Sequence, residues 1–296
     1  MPSGMTLSAS AKAPDKSRRQ PSEISLYEAL EAGWIEFLFQ PKIELENWRI
    51  VGAEMFARVC HPDFGMLPPS AFLPCAGSKS LEALAEHSLL HALTASADLC
   101  KAAINLRLAI NIPLIALGKL NIAPTVHKYR PPVRSWAGLL IDVTEDEVAD
   151  GAEHVDYVVG ALTGDEVALA LDELGGCVAP LLDRAGRVIE DEIERAISRI
   201  ASVKRLKFAE MKLHRSFVAG CSRDRRKAGI CKAIIDLAHN RGSRAVAVGV
   251  EQGSDVAALQ SMGCDLAQGN LFSEPIAQAQ FVKLMRNRPD RFGLGS

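Results

Sequence analysis

Glu54, Asn111, Asp142, Asp172, Lys212 and Gln268 each lie within or close a short apolar run of this chain, and Glu251 follows just beyond another. Carboxylates and amide carbonyls are hard oxygen donors, suited to Mg²⁺, Mn²⁺ or Ca²⁺ and poorly suited to copper or iron–sulfur clusters. A lysine among them can orient a phosphate or an attacking water. Taken together, the set points to metal-assisted phosphoester chemistry. Any one of the acids alone reads more simply as a cap on a strand or on the helix that follows.

Such a set works only if the fold gathers it. The apolar or β-branched runs are Ile35–Phe39, Arg49–Phe56, Leu106–Ile112, Gly138–Val143, Val167–Asp172, Leu206–Leu213, Ser243–Val248 and Leu266–Phe272. They alternate with longer segments of helical period, the pattern of an α/β fold. Between the first two runs stands Glu44-Leu45-Glu46-Asn47-Trp48, too short for a crossover helix, so these two should form an antiparallel hairpin. The later strands are joined by segments long enough for a helix and should run parallel. Asn111, Asp142 and Asp172 are separated by about 30 residues each, the length of one βα unit. The expected architecture is a TIM-like (β/α)8 barrel with its first strand antiparallel to the rest. In such a barrel the C-terminal ends of the parallel strands converge on one mouth. Among the connecting helices, Ser80 is a plausible N-cap for the stripe Leu81, Leu84, Ala85, Leu89 and Ala92. Glu192 to Ile200 and Ile230 to Ala238 suggest two more.

Composition narrows the function. With 296 residues, 48% hydrophobic and 24% charged, the chain can bury a full core. A formal charge of −2 and 5% aromatic residues argue against a nucleic-acid partner. The 7 cysteines include no C-x-x-C pair, which argues against a zinc knuckle or disulfide framework and for a reducing cytoplasm. No uncharged apolar run approaches the ~18 residues of a membrane helix, and no signal-peptide core is evident, so no membrane partner is expected. Residues 1–22 lack an apolar period and read as a flexible tail, leaving 23–296 as one barrel domain. His87 and His91 have helical metal-pair spacing but no third ligand, and read as surface residues. Arg223 to Lys227 reads as a solvated helix start. Gly175-Gly176 lacks a phosphate-loop context, and Cys177 near the mouth reads as packing.

Several ordered motifs carry a resemblance. Phe39-Gln40-Pro41, Val51-Gly52-Ala53-Glu54-Met55-Phe56-Ala57-Arg58, Pro69 to Pro74, Lys212-Leu213-His214-Arg215-Ser216-Phe217-Val218 and Gly263 to Gly269 are similar to the EAL domain family, over about residues 25 to 286. That family comprises bacterial cyclic di-GMP phosphodiesterases and their non-catalytic relatives. The resemblance implies that Glu54, Asn111, Asp142, Asp172 and Glu173 occupy the positions of metal ligands for Mg²⁺ or Mn²⁺. Lys212 matches the lysine that positions the nucleophilic water, and Gln268 a glutamine of the same site. Arg58 matches an arginine that contacts a ligand phosphate, and Phe56 stands in for the signature leucine, where it can pack on a guanine.

The departures are as informative. Ala247-Val248-Gly249-Val250-Glu251 replaces Ala-Glu-Gly-Val-Glu, so Val248 stands where an active member places a metal-binding Glu. Asp142 is one methylene shorter than the family Glu, and Glu173 one longer than the second Asp of its pair. Leu174 to Leu181 replaces a loop whose Thr, Tyr and Ser are all missing here, and His214 stands in place of Asp. Gly77 takes the place of a Glu that would face the ligand. The resemblance therefore implies a degenerate, catalytically silent EAL domain with a vestigial Lys212, acting as a cyclic di-GMP receptor or on an unidentified protein partner. The alternative it leaves open is a weak phosphodiesterase giving the linear dinucleotide. Family members often pair as homodimers, an expectation that the altered loop weakens.

Overall fold

The computed structural model describes residues 24–150, 166–174 and 206–287. The tail, the helix expected around residue 196, and Gly175, Gly176, Cys177 and the rest of the altered loop as far as Leu181 lie outside them.

The strands are β1 (Ile35–Glu44), β2 (Arg49–His61), β3 (Gly65–Leu67), β4 (Arg107–Asn111), β5 (Leu139–Thr144), β6 (Val167–Leu174), β7 (Phe208–Leu213), β8 (Arg244–Val248), β9 (Leu266–Gln268) and β10 (Ile276–Ala277). They close in the order β1-β2-β4-β5-β6-β7-β8-β9 and back to β1, an eight-stranded barrel. β1 runs antiparallel to both its barrel neighbours, β2 and β9. The other neighbouring pairs, from β2–β4 round to β8–β9, are parallel. Each expected strand is present, and β3 and β10 add short antiparallel edges on β2 and β1.

The barrel forms because the strands alternate two apolar faces. On β5, Leu139, Ile141 and Val143 face outward into the main core beneath the helices. Leu140 faces inward, where it meets Ala109 and Ala170 in a separate buried cluster. Each buried Leu or Ile contributes about 1.5–3 kcal/mol of transfer free energy.

Several boundaries differ from those expected: β1 and β2 run on to Glu44 and His61, beyond Phe39 and Phe56, and β6 to Leu174, beyond Asp172. The long helix Ser78–Lys101 is capped at Gly77 rather than Ser80. Gly77 takes the extended cap conformation, and its carbonyl accepts the N–H groups of Ser80 and Leu81 at 2.9 and 3.1 Å. The last barrel strand stops at Gln268 and does not reach Phe272. Val250 N–H donates to the Gln268 carbonyl at 3.0 Å and Leu271 N–H to that of Val250 at 3.1 Å, so the chain turns. A Cβ on Gly269 would fall 2.1 Å from the Val250 carbonyl oxygen, which is why this turn needs glycine. His87 is exposed, as expected, and His91 is half-buried; both rings stack on Phe37, with centroids 5.6 and 4.5 Å away. The basic run near residue 225 does begin a helix, Arg225–Asn240, with Asp224 accepting from the Arg226 N–H at 2.8 Å. Among the described residues no helix is long and apolar enough to cross a membrane.

Candidate functional site

The inward period of the strands brings the polar residues at their C-terminal ends to one mouth. Lys212 on β7 is the hub. Its side chain is fully buried, and its Nζ donates to Glu54 Oε2 at 2.8 Å, Asp142 Oδ2 at 2.5 Å and Asp172 Oδ2 at 3.0 Å. An ammonium has three protons, so all its donors are used. Asn111 Nδ2 donates to the other oxygen of Glu54 at 2.9 Å. Gln268 Nε2 reaches both Glu54 Oε2 at 3.1 Å and Gln40 Oε1 at 3.0 Å. Gln40, of the Phe39-Gln40-Pro41 motif, donates onward to the Ser273 carbonyl at 2.9 Å. It pairs in register with Glu54 across β1 and β2.

Glu54, Asn111, Asp142, Asp172, Lys212 and Gln268 are thus one connected network. Glu173 and Phe56 line the same cavity, whose volume is about 400 Å³ and whose far wall is apolar, with Leu81 and Leu84. Glu173 stands in the left-handed region at φ 56°, its N–H donating to Asp172 Oδ1 at 2.7 Å. Arg58 stays outside the network: its guanidinium lies 5.7 Å from the Phe56 ring centre and donates to the Ala57 carbonyl at 2.9 Å. Glu251 is exposed on the turn after β8, away from these bonds. His214 caps the short helix Arg215–Val218, with Nδ1 accepting from the Ser216 N–H at 3.3 Å.

Val248 ends β8 and pairs in register with Gln268. Ala245 and Ala247 belong to the outer core, so the alternation turns Val248 toward the mouth. No donor atom is available there.

The charges decide the protonation states. Burial alone would push the Glu54 carboxyl up. The Lys212 and Lys42 ammoniums, with hydrogen bonds from Lys212 and Asn111, outweigh it and hold Glu54 below the usual carboxylate range. Burial is also the largest influence at Asp142. There, with the Glu54 and Asp172 charges, it overcomes the pull of Lys212 and pushes the carboxyl up to about 7. At Lys212 burial would lower the ammonium, but Asp142, Asp172 and Glu54 raise it well above its ordinary value. Glu173 is raised by burial and by Asp172.

The Asp142 shift carries a pH signature. Its folded value near 7 lies above the ~3.9 of an unfolded Asp, so the folded state binds that proton more tightly. The resulting stability is fully present below about pH 4 and is lost as pH rises through about 7. Urea midpoints of the wild type should therefore fall across that window, and Asp142→Asn should flatten the fall. Equal slopes in the two proteins would refute the assignment.

The donors suit a hard cation. Oxygens of Glu54, Asp142 and Asp172 lie within 4.8 Å of one another. Three carboxylates face a single ammonium, and the buried acceptors Asp142 Oδ1 and Gln268 Oε1 have no hydrogen-bond partner among the described residues. Unfilled oxygen acceptors in a cluster with surplus negative charge are what a divalent cation neutralises.

Comparison with known proteins agrees with this geometry. The cyclic di-GMP phosphodiesterase RocR of Pseudomonas aeruginosa is 27% identical over 268 residues, covering 88% of this chain and 62% of RocR. Among solved structures, the PaMucR phosphodiesterase in complex with c-di-GMP superposes with a TM-score of 0.67 at 23% identity, over 86% of this chain and 97% of that one. The FimX EAL domain from Pseudomonas aeruginosa bound to c-di-GMP gives 0.65 at 20% identity, over 86% and 95%. These likenesses establish a shared barrel. The EAL domain profile matches residues 24–182 and 188–275. A match over so much of its length makes this chain a member of the EAL domain family, whose characterised relatives act in cyclic di-GMP signalling.

Proposed function

We propose that this chain is a degenerate EAL domain of the bacterial cytoplasm that binds cyclic di-GMP and hydrolyses it little or not at all. The observation that carries the proposal is Val248 at the mouth, beside Gln268, where it offers no lone pair to a cation or to water. Glu54, Asn111, Asp142 and Asp172 are the residues that would hold Mg²⁺ or Mn²⁺, which when bound polarises a phosphate and acidifies a water. Without a further ligand at Val248, binding of the ion is weak. Lys212, fixed in three ion pairs, has no donor left for a nucleophile until one of those pairs opens. Part of the recognition surface is kept, although Gly77 offers no carboxylate to the ligand. Phe56 lines the cavity and can stack on a guanine, and Arg58 beside it can fork onto a phosphate.

A weak phosphodiesterase is the second reading, favoured by the survival of Glu54, Asn111, Asp142, Asp172 and Lys212 in one network. Calorimetric titration with cyclic di-GMP, in Mg²⁺ and again in a chelator, is the decisive experiment. The expected result is saturable binding with a Kd on the order of micromolar. A flat trace from folded protein removes the receptor role and leaves a module that docks on a protein partner. Accumulation of the linear dinucleotide, lost in Lys212→Ala, would overturn the inactive reading.

A further inference from the structure

One layer below the mouth, the barrel holds a second set of charges. In barrels of this kind the lumen is filled by successive layers of inward side chains. A step of two residues down from the mouth reaches Lys42 on β1, Gly52 on β2, Ala109 on β4, Leu140 on β5, Ala170 on β6 and Glu210 on β7. Lys42 and Glu210 are 1% and 2% exposed, and their Nζ and Oε2 atoms are 2.6 Å apart. The second Glu210 oxygen accepts from Arg244 Nη2 at 3.0 Å. β9 and β8 stand between β1 and β7 in the sheet, so the Lys42–Glu210 bond crosses the lumen rather than following a ladder. Gly52 is required by the neighbouring strand rather than by the lysine: a Cβ there would fall 2.9 Å from the Arg107 carbonyl oxygen, while Lys42 Cδ, at 3.9 Å, would be in ordinary contact.

Stability alone does not account for such a pair. A buried ion pair is often matched or bettered by apolar residues of similar volume, and Ala109, Leu140 and Ala170 already fill part of this layer that way. What distinguishes the pair is its neighbours. Glu210 precedes the hub Lys212 by two residues on β7. Lys42 follows Gln40 by two residues on β1, and Gln40 holds Gln268, which in turn holds Glu54.

We infer that Lys42 and Glu210 are positioning residues: their bond across the lumen sets β1 against β7, so that Lys212 and Glu54 meet at hydrogen-bond distance. The inference deepens the proposed reading of the mouth, but its test needs no ligand, so either can fail without the other. In ¹⁵N-labelled protein the Lys212 ammonium, enclosed by three acceptors, should give a slowly exchanging ¹H–¹⁵N signal. The double variant Lys42→Met with Glu210→Leu is expected to keep its thermal midpoint nearly unchanged, while the Lys212 protons exchange at least tenfold faster. A crystal structure of the same variant should show Lys212 detached from at least one carboxylate. A folded double variant with an unchanged Lys212 signal and three intact ion pairs overturns the inference. Should that variant not fold, Glu210→Gln, which keeps the volume and removes the charge, is scored by the same exchange rate: faster supports the inference, unchanged defeats it.

Discussion

Replacing Lys212 with methionine is expected to destabilise the folded chain by about 3–5 kcal/mol at pH 8, and by much less at pH 5. The substitution keeps the volume of the side chain and removes the cation that Glu54, Asp142 and Asp172 share. With their oxygens within 4.8 Å of one another, these carboxylates cannot all remain ionised without it. Asp142, already raised to about 7 with the ammonium present, is then raised further above its unfolded value. Proton binding then favours the folded state, and that advantage is complete below about pH 4 and disappears as pH climbs through the raised value. Urea denaturation of wild type and variant at the two pH values measures the effect directly. Millimolar Mn²⁺ should restore part of the lost stability at pH 8, since a divalent cation replaces the missing charge. A variant with a wild-type midpoint at pH 8 in the presence of a chelator would show that the ammonium does not neutralise the cluster.

The second large effect is expected from Val248→Glu. A carboxylate at this position, next to Gln268, adds a donor and a negative charge to a mouth already short of positive charge. In a chelator the variant should melt below the wild type. With Mn²⁺ the order should reverse, because the new ligand tightens cation binding by about tenfold or more, at least the span seen when groups supporting a metal site are changed. Hydrolysis of cyclic di-GMP should nonetheless remain slow, since Glu173 and the segment from Leu174 to Leu181 keep their substitutions. Full turnover from the single change would show that Val248 alone silences the domain. An unaltered response to Mn²⁺ would show that the side chain at this position does not reach the cation.

The architecture was largely legible because it depends on period. Short apolar or β-branched runs alternating with segments of helical period marked each barrel strand, and the short Glu44–Trp48 link marked the antiparallel hairpin. The convergence of Glu54, Asp142, Asp172 and Lys212 followed from their places at strand ends. The inner layer was less visible. Lys42 follows Pro41 in an apolar run, and Glu210 sits mid-strand; a lone charge in such a place looks like an exposed edge residue until closure of the barrel puts it inside. The signal was present in the two-residue offsets, Gln40 to Lys42 and Glu210 to Lys212, which fix the same facing for both. Gln40 was hidden for another reason, since its partners Gln268 and Ser273 lie more than 220 positions away. The cap of the Ser78–Lys101 helix was misplaced because Ser80 is the stronger capping residue by type, while the backbone turned at Gly77.

The antiparallel first strand also bears on synthesis. β1 closes the ring only by pairing Ile43 and Glu44 with Ala267 and Leu266. A nascent chain leaving the ribosome therefore carries an unsatisfied hydrogen-bonding edge until nearly all of the domain has been translated. Pairings of such long sequence separation form late and slowly, and the open intermediate is prone to aggregate. Production of this protein should consequently respond to chaperone supply and to lowered growth temperature more than its finished stability would suggest.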